Sequence, residues 1–174
     1  MSTGRGGRAD CSPTMVIHEG VIPATGRLLR QSKQGCRKHE GVVYWAGRDM
    51  GPECLVTTCI APNAVTSPGS FHVSAEANAD VIMLLNKLSL VLMGQVHSHP
   101  GNLIGHSSGD DRGAFMPFEN LISIVVPNYG RLDPWPLAKC GVHRFVGGAF
   151  RKLTEGEVER KFRVLPAACN LRKT

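Results

Sequence analysis

The alternation of apolar and polar residues predicts strands and helices in mixed order along the chain. Short β-branched or aromatic runs bounded by glycine or proline predict strands, and apolar residues three and four positions apart predict helices. The predicted strands lie near residues 15–22, 42–46, 55–60, 90–97, 121–126 and 142–146. The predicted helices cover residues 25–37, begin at Ser74 and Ser108, and run from Thr154 to about Val164. This order indicates an α/β fold with a mixed sheet flanked by helices.

Local signals set several of these boundaries. The helix that begins at Ser74 has one apolar face, which is expected to pack on the sheet; its members are Val81, Leu84, Leu85 and Leu88. The last helix opens with a Thr154-x-x-Glu157 capping box and stops at Pro166. Pro117 is expected to end the helix that begins at Ser108, and residues 62–69 are predicted to form a loop.

Length and composition favour one domain. The 174 residues can bury roughly 70% of the unfolded surface, and we predict a domain from 15 to 166 between flexible tails 1–14 and 167–174. Six cysteines without a Cys-x-x-Cys pair predict neither a disulfide framework nor a cysteine zinc site. No secretory signal and no apolar run near the ~18 residues of a membrane span are found, so we expect a cytoplasmic protein without a membrane partner.

The net charge is moderately positive. Twenty basic and fourteen acidic side chains give +6, and part of the excess lies in the two tails. The basic residues between 151 and 163 are interpreted as a charged helix face, because a nucleic-acid site needs a concentrated basic stripe. We therefore predict no nucleic-acid partner, and the charge would assist docking of an acidic protein.

Two histidines at the end of a predicted strand are the first sign of chemistry. His97 and His99 follow the apolar run at 90–93 and precede Pro100, which stops a central strand. Strand residues two apart share a face, and their Cα atoms are separated by roughly 6.5 Å. Both imidazoles can therefore converge on one metal ion.

A polar helix start follows these histidines. Ser107 and Asp110 lie at the predicted N-terminus, where Asp110 could supply a third ligand and leave the fourth position to water, the arrangement of a catalytic zinc site. Two alternatives stay open: Ser107-x-x-Asp110 could be only a helix cap, and His106 could be the third ligand. Asp111 is expected to favour the helix terminus or to orient a ligand histidine.

Together these residues resemble the signature of the JAMM (MPN+, or JAB) metalloproteases. That signature is His-x-His, seven residues, Ser, two residues and Asp, and His97, His99, Ser107 and Asp110 match it position by position. The family also has an upstream glutamate near a strand. Glu40 fits best, because it precedes the β-favouring residues 42–46 and a glycine; Glu19 lacks such a strand, and Glu53 follows one.

The resemblance implies a fold, a cofactor and an activity. The fold would be a single-domain JAMM/MPN-type sandwich, similar to that of cytidine deaminases. One zinc ion with a bound water would be held by His97, His99 and Asp110. Glu40 would be the general acid/base, and Ser107 would hydrogen-bond the oxyanion. The reaction would be hydrolysis of the peptide or isopeptide bond after the C-terminal tail of a ubiquitin-like protein, in precursor processing or deconjugation.

The sequence around Glu40, His-Glu-Gly-Val-Val-Tyr-Trp at residues 39–45, looks closest to that of bacterial JAB proteins. The resemblance to these proteins implies that activating and conjugating enzymes are further partners, in some cases in antiphage defence. The alternative that it implies is the processing of a sulfur-carrier protein. Two other classes remain: a non-catalytic MPN scaffold and, more distantly, a zinc nucleobase deaminase, whose Pro-Cys-x-x-Cys motif is absent. Residues 127–139, with Trp135, are either a substrate-contacting insertion or an ordinary loop. The remaining histidines, His18, His39, His72 and His143, are interpreted as ordinary surface or core residues.

Overall fold

A mixed eight-stranded sheet forms the centre of the computed structural model, which describes residues 12–107, 109–110 and 115–166. The strands of this sheet are β1 (Thr14–His18), β4 (Val42–Asp49), β5 (Glu53–Ile60), β8 (Val91–Ser98), β9 (Ile122–Val126), β10 (Gly141–Val146), β11 (Ala149–Lys152) and β12 (Phe162–Leu165). Their order is β11-β10-β9-β8-β4-β5-β1-β12. The pairs β8/β9, β5/β1 and β1/β12 are parallel and the other neighbours antiparallel.

Three helices and two small hairpins complete the described fold. The helices are α1 (Val21–Gln31), α2 (Ala75–Leu88) and α3 (Glu155–Lys161). The hairpins pair β2 (Lys33–Gln34) with β3 (Arg37–Lys38), and β6 (Ala64–Ser67) with β7 (Ser70–Val73). Two single 3-10 turns, Asn128–Gly130 and Leu137–Lys139, follow β9. The prediction of a mixed α/β protein is therefore confirmed.

Strand β4 lies between two hydrophobic clusters. Its alternate residues Val43 and Trp45 pack in the cluster that includes α1, whereas Val42 and Tyr44 pack in the cluster that includes α2. Both large rings are fully buried and hydrogen-bonded: Trp45 Nε1 donates to Thr25 Oγ1 (2.8 Å), and the Tyr44 hydroxyl donates to Asn78 Oδ1 (2.8 Å). The strand that follows Glu40 is thus anchored on both faces.

The prediction of a helix at residues 25–37 is wrong at both ends. Helix α1 begins at Val21, because Pro23 lies in the first turn, where a missing N–H costs nothing. It ends at Gln31, and the next residues form the β2–β3 hairpin. Gly35 at the tip of this hairpin has φ of +58°, a left-handed conformation that glycine adopts without strain.

Strand pairing accounts for most of the other errors. The loop predicted at 62–69 contains strand β6, and β11 was not predicted. The last helix ends at Lys161 instead of Val164, because residues 162–165 form β12 beside β1. On α2 the predicted apolar face is too wide, since Val81 and Leu85 are buried but Leu84 and Leu88 are exposed.

Two predicted helix starts are confirmed. Thr154 and Glu157 form the capping box of α3, and Ser74 caps α2 by accepting from Ala77 N. Four cysteines in the described ranges, Cys36, Cys54, Cys59 and Cys140, are free thiols. None of the helices among the described residues is long and apolar enough to cross a membrane. Three predictions lie outside the described residues: the C-terminal tail, residues 1–11 of the N-terminal tail, and the role of Asp111.

Candidate metal centre

Two histidines and one aspartate converge at the end of β8. Asp110 Oδ1 lies 3.4 Å from His97 Nε2 and 3.3 Å from His99 Nε2, and one ligand atom of each residue lies within 4.8 Å of the others. A tetrahedral zinc ion with bonds of about 2.0–2.1 Å separates neighbouring ligand atoms by about 3.3–3.4 Å. The two measured distances therefore equal two edges of such a tetrahedron.

His97 provides an independent test of whether a cation fits. Its side chain is fully buried, and neither ring nitrogen makes a hydrogen bond with any described residue. Buried polar atoms are normally partnered, and an unpartnered one carries a desolvation cost of about 1–3 kcal/mol. A cation at the centre of that tetrahedron would satisfy Nε2, so the residues present fit a metal ion.

The electrostatics of His97 and Asp110 also suit a metal, whereas His99 would have to give up a proton to bind one. Burial lowers the pKa of His97, which keeps its imidazole neutral. Burial alone would raise the pKa of Asp110, but the contacts with His97 and His99 hold it far below its usual range. The pKa of His99 is raised because Asp110 outweighs the effect of burial. Neutral imidazole and ionised carboxylate are the ligand forms that bind metals.

The carboxylate of Asp110 is divided between two tasks. Oδ2 accepts a hydrogen bond from Ser107 N (2.6 Å), while Asp110 N donates to Ser107 Oγ (3.1 Å). This reciprocal pair is a helix cap, so the cap and the ligand interpretations of Ser107-x-x-Asp110 hold together. The cap fixes Oδ2, which also lies 3.3 Å from His99 Nε2, and so holds the whole carboxylate toward the histidines.

Glu40 adjoins this cluster. It lies directly before β4, is 4% exposed, and its N–H donates to Ser67 O (2.8 Å) on β6. Burial raises the pKa of Glu40 to about 7, an effect opposed by His99 and reinforced by Asp110. The two rivals lie elsewhere: Glu19 is exposed, and Glu53 is paired with Arg163 at 2.5 Å. The structure thus brings Glu40 beside the three converging residues.

Ser98 is a functional residue that sequence reasoning missed. Its hydroxyl accepts from Gly41 N (2.9 Å), and its own N–H donates to Gly41 O (3.0 Å). Ser98 is fully buried on the face opposite the two histidines. It joins the backbone next to Glu40 to the strand that carries the ligands. The only signal in the sequence is its place between the two histidines.

Comparisons with known proteins agree with this geometry. No family model matches the chain. The chain is 32% identical over 139 residues to a probable metalloprotease of Sinorhizobium fredii, and the alignment covers 78% of this chain and 77% of that protein. The chain belongs to the JAMM/MPN metalloprotease family. A metallopeptidase-type function follows for the chain.

Two solved structures are similar to this JAMM/MPN metalloprotease at low sequence identity. The solution structure of a Desulfitobacterium hafniense protein has a TM-score of 0.62 at 17% identity, and the match covers 88% of this chain and 94% of that one. A crystal structure of a JAB1/MPN domain protein from Archaeoglobus fulgidus gives a TM-score of 0.49 at 12% identity, covering 88% and 100% of the two chains. The solution structure demonstrates a common fold at low sequence identity.

His106 of the metalloprotease is not among the converging ligands. Its Nε2 lies 2.8 Å from Ser123 Oγ, and its ring centroid lies 5.6 Å from that of His97 and 4.8 Å from that of His143. This placement favours Asp110 over His106 as the third ligand. His143 is buried, which lowers its pKa to about 4. His39 is buried as well, and its Nδ1 lies 3.1 Å from Thr66 Oγ1.

Gly141 allows the loop before Asp110 to approach the sheet. A Cβ on Gly141 would lie 1.7 Å from Ile104 O, a backbone atom that cannot give way without moving the loop that carries His106 and Ser107. Gly141→Ala is therefore expected to lower the free energy of unfolding by about 1–3 kcal/mol and to slow peptide cleavage. Thermal melts and cleavage rates measure both effects.

Gly69→Ala is the matched control, since a Cβ there would have no atom within 4 Å. If Gly141→Ala melted like the Gly69→Ala control and cleaved like the wild type, the close approach of Ile104 would have no role in holding the loop.

Residues 127–139 form an ordered segment next to the site. Tyr129 N donates to His99 O (2.9 Å), and the Tyr129 hydroxyl donates to Pro68 O (2.8 Å) in the β6–β7 turn. Leu137 is buried, whereas Trp135 is 38% exposed. The segment thus packs through Leu137, and Trp135 stays accessible. Its contact with substrate stays a prediction.

Proposed function

We propose that this protein is a zinc peptidase or isopeptidase that cleaves the bond after the C-terminal tail of a ubiquitin-like protein. One observation carries the proposal: the buried carboxyl group of Glu40 adjoins three side chains that converge with tetrahedral spacing. Two imidazoles and a carboxylate are ligands typical of a catalytic zinc site, which keeps a fourth position open.

Zinc held by these side chains would lower the pKa of a water molecule to about 7 and polarise the substrate carbonyl. Glu40 would take the proton of the attacking water and return it to the leaving amine. Positioned proton transfer of this kind contributes typically 10²- to 10⁴-fold to the rate, and is most effective when the pKa of the base is near the working pH. Burial brings Glu40 into that range, to about 7.

Ser107 would stabilise the developing oxyanion. Its oxygen accepts from Asp110 N, and a hydroxyl that accepts one bond still has its own proton to donate. The side chain is exposed at the cap, so substrate can reach it. A donor aimed at such an oxyanion contributes about 2.7–4 kcal/mol to transition-state stabilisation.

The β6–β7 hairpin supports an extended substrate tail. It is a two-stranded sheet within the described residues, so each strand has an outer edge. Ser67 O accepts from Glu40 N, and the Phe71 ring centroid lies 5.2 Å from that of His97. A tail that adds to one edge would form main-chain hydrogen bonds beside the metal, and a narrow passage would admit small residues such as glycine.

This activity would serve precursor processing or deconjugation with activating and conjugating enzymes as partners, in an antiphage pathway. The test uses a ubiquitin-like protein ending in Gly-Gly and fused to a reporter. The zinc-loaded protein is expected to cut directly after Gly-Gly, and replacing the last Gly by Val should slow cleavage at least tenfold. Mass spectrometry identifies the new terminus. Equal cleavage of the fusion without its tail would overturn the proposed substrate class.

A further inference from the structure

A basic groove lies beside the candidate metal centre, between the β2–β3 hairpin and residues 127–139. It consists of two cavities of about 440 and 510 Å³ that share Arg131. Five basic side chains line the groove and a single acid accompanies them: Arg30, Lys33, Lys38, Arg131 and Lys139, with Asp133. The groove is therefore strongly positive.

Little of this charge is neutralised within the protein. Asp133 Oδ1 lies 3.1 Å from Arg30 Nη1, so the single acid that lines the groove is already paired with Arg30. Lys33, Lys38, Arg131 and Lys139 are exposed, and no ion pair joins them to another described residue. Four positive charges are thus available to a ligand.

The β2–β3 hairpin places like charges opposite each other. Lys33 pairs directly with Lys38 across the two strands. Like charges in such a pair destabilise a hairpin, because their side chains lie side by side. Neither lysine contributes to either hydrophobic cluster. A negatively charged ligand would remove this repulsion.

Backbone hydrogen bonds join the lining of the groove to the surroundings of the metal centre on two sides. Lys38 precedes Glu40 by two residues, and His39 N donates to Ser32 O, another residue of the groove (3.0 Å). On the other side Tyr129 lines the groove, and its N–H donates to the carbonyl of His99 (2.9 Å). A chain lying in the groove would therefore approach the ligands and the general base together.

The wall formed by residues 128–130 is held in an unusual conformation. Asn128, Tyr129 and Gly130 all have left-handed φ angles, of 56°, 55° and 66°. Two of them are not glycines, and such residues persist in this region only when surrounding contacts hold them. Arg30 Nη1 donates to Gly130 O (2.9 Å), and Asn128 N donates to Gly101 O (2.6 Å). A wall fixed before binding lowers the entropy lost on binding.

We propose that this groove binds an acidic segment of the protein substrate, next to the tail that enters the metal centre. The assignment rests on the proposed peptidase function, which makes the occupant a polypeptide. Trp135 and Leu132, 38% and 68% exposed, line the larger cavity. They suit a segment in which apolar side chains accompany carboxylates.

Binding is tested with an acetylated, amidated ten-residue peptide that carries four glutamates and one leucine, beside the same peptide with glutamines. Fluorescence anisotropy is recorded on the full, zinc-loaded chain. The acidic peptide should bind more tightly than the glutamine peptide. Lys33→Gln with Lys38→Gln should weaken that binding about three- to tenfold, as the loss of two exposed ion pairs predicts. Raising the salt from about 0.05 to 0.3 M should weaken it further, because the charges are exposed to solvent.

The matched control is Lys87→Gln with Arg160→Gln, which removes the same charge from exposed positions on α2 and α3 and should bind as the wild type does. The variant Lys33→Glu with Lys38→Glu should bind the acidic peptide more than tenfold more weakly than the wild type does. Melting temperatures of both lysine variants should be no lower than that of the wild type.

Equal weakening in the control, or a ten-nucleotide single-stranded DNA that outcompetes the peptide through the same lysines, would overturn the proposal. This binding result is separate from cleavage of the Gly-Gly fusion. If the fusion is cut while the lysine variants bind normally, the groove assignment fails and the peptidase proposal stands. If the fusion is not cut, the peptidase proposal fails whatever the peptides do.

Discussion

Glu40→Gln is expected to leave zinc bound and to slow cleavage by about 10²- to 10⁴-fold. Gln has nearly the same shape but cannot accept the proton of the attacking water. Because burial already raises the pKa of Glu40 to about 7, a neutral side chain at this place should not lower the melting temperature. Cleavage rates, zinc content by elemental analysis and thermal melts give the three readouts.

Glu19→Gln is the appropriate control, because Glu19 is exposed at the end of β1. This variant should cleave substrate and bind zinc as the wild type does. An active Glu40→Gln enzyme with full zinc content would remove Glu40 from the mechanism. Loss of zinc in this variant would instead make Glu40 a ligand.

Removing a ligand should abolish zinc binding and cleavage together. In His97→Ala and Asp110→Ala, two protein ligands remain, and the cation loses one of its bonds at a buried site. Zinc at about 100 times its Kd stabilises a protein by ~2.7 kcal/mol. The rise in melting temperature on adding zinc, expected for the wild type, should therefore be absent in both variants.

His72→Ala provides the comparison for zinc binding, since His72 is exposed on β7 and is not one of the three converging residues; this variant should retain its zinc. A chelator should abolish cleavage by the wild type, as the ligand substitutions do, and added zinc should restore cleavage. Full activity of His97→Ala at substoichiometric zinc would show that the three residues do not form the catalytic site.

The candidate site was predictable from sequence because its residues are close together in the chain. His97, His99, Ser107 and Asp110 lie within fourteen positions, so strand periodicity and helix capping place them without knowledge of the rest of the fold. Glu40 was harder, because it is distant in sequence and only the following strand distinguished it from Glu19 and Glu53. Burial, which no local pattern predicts, is what separates the three in the structure.

Features that depend on pairing between distant segments were not predictable in this way. Strand β12 follows a genuine capping box, and only its neighbour β1, more than 140 residues away, makes residues 162–165 a strand. The hydrogen bond from Glu40 N to Ser67 O is a second example, because it joins two segments that are separated in sequence by β4 and β5. Ser98 is the clearest example. Its hydroxyl could have bonded any backbone group nearby, and only the register of β4 with β8 selects Gly41.

The tie between Ser98 and Gly41 has a consequence for how this enzyme can change. It joins positions 57 residues apart, so the distance from base to ligands is set by the spacing of adjacent strands, about 4.8 Å. Lengthening the turns between β4 and β8 outside the β6–β7 hairpin, whose Ser67 O holds Glu40 N, would leave that distance unaltered. New recognition elements could thus be acquired by insertion while the chemistry is preserved, which makes the interval between β4 and β8 the natural place to engineer a different substrate preference.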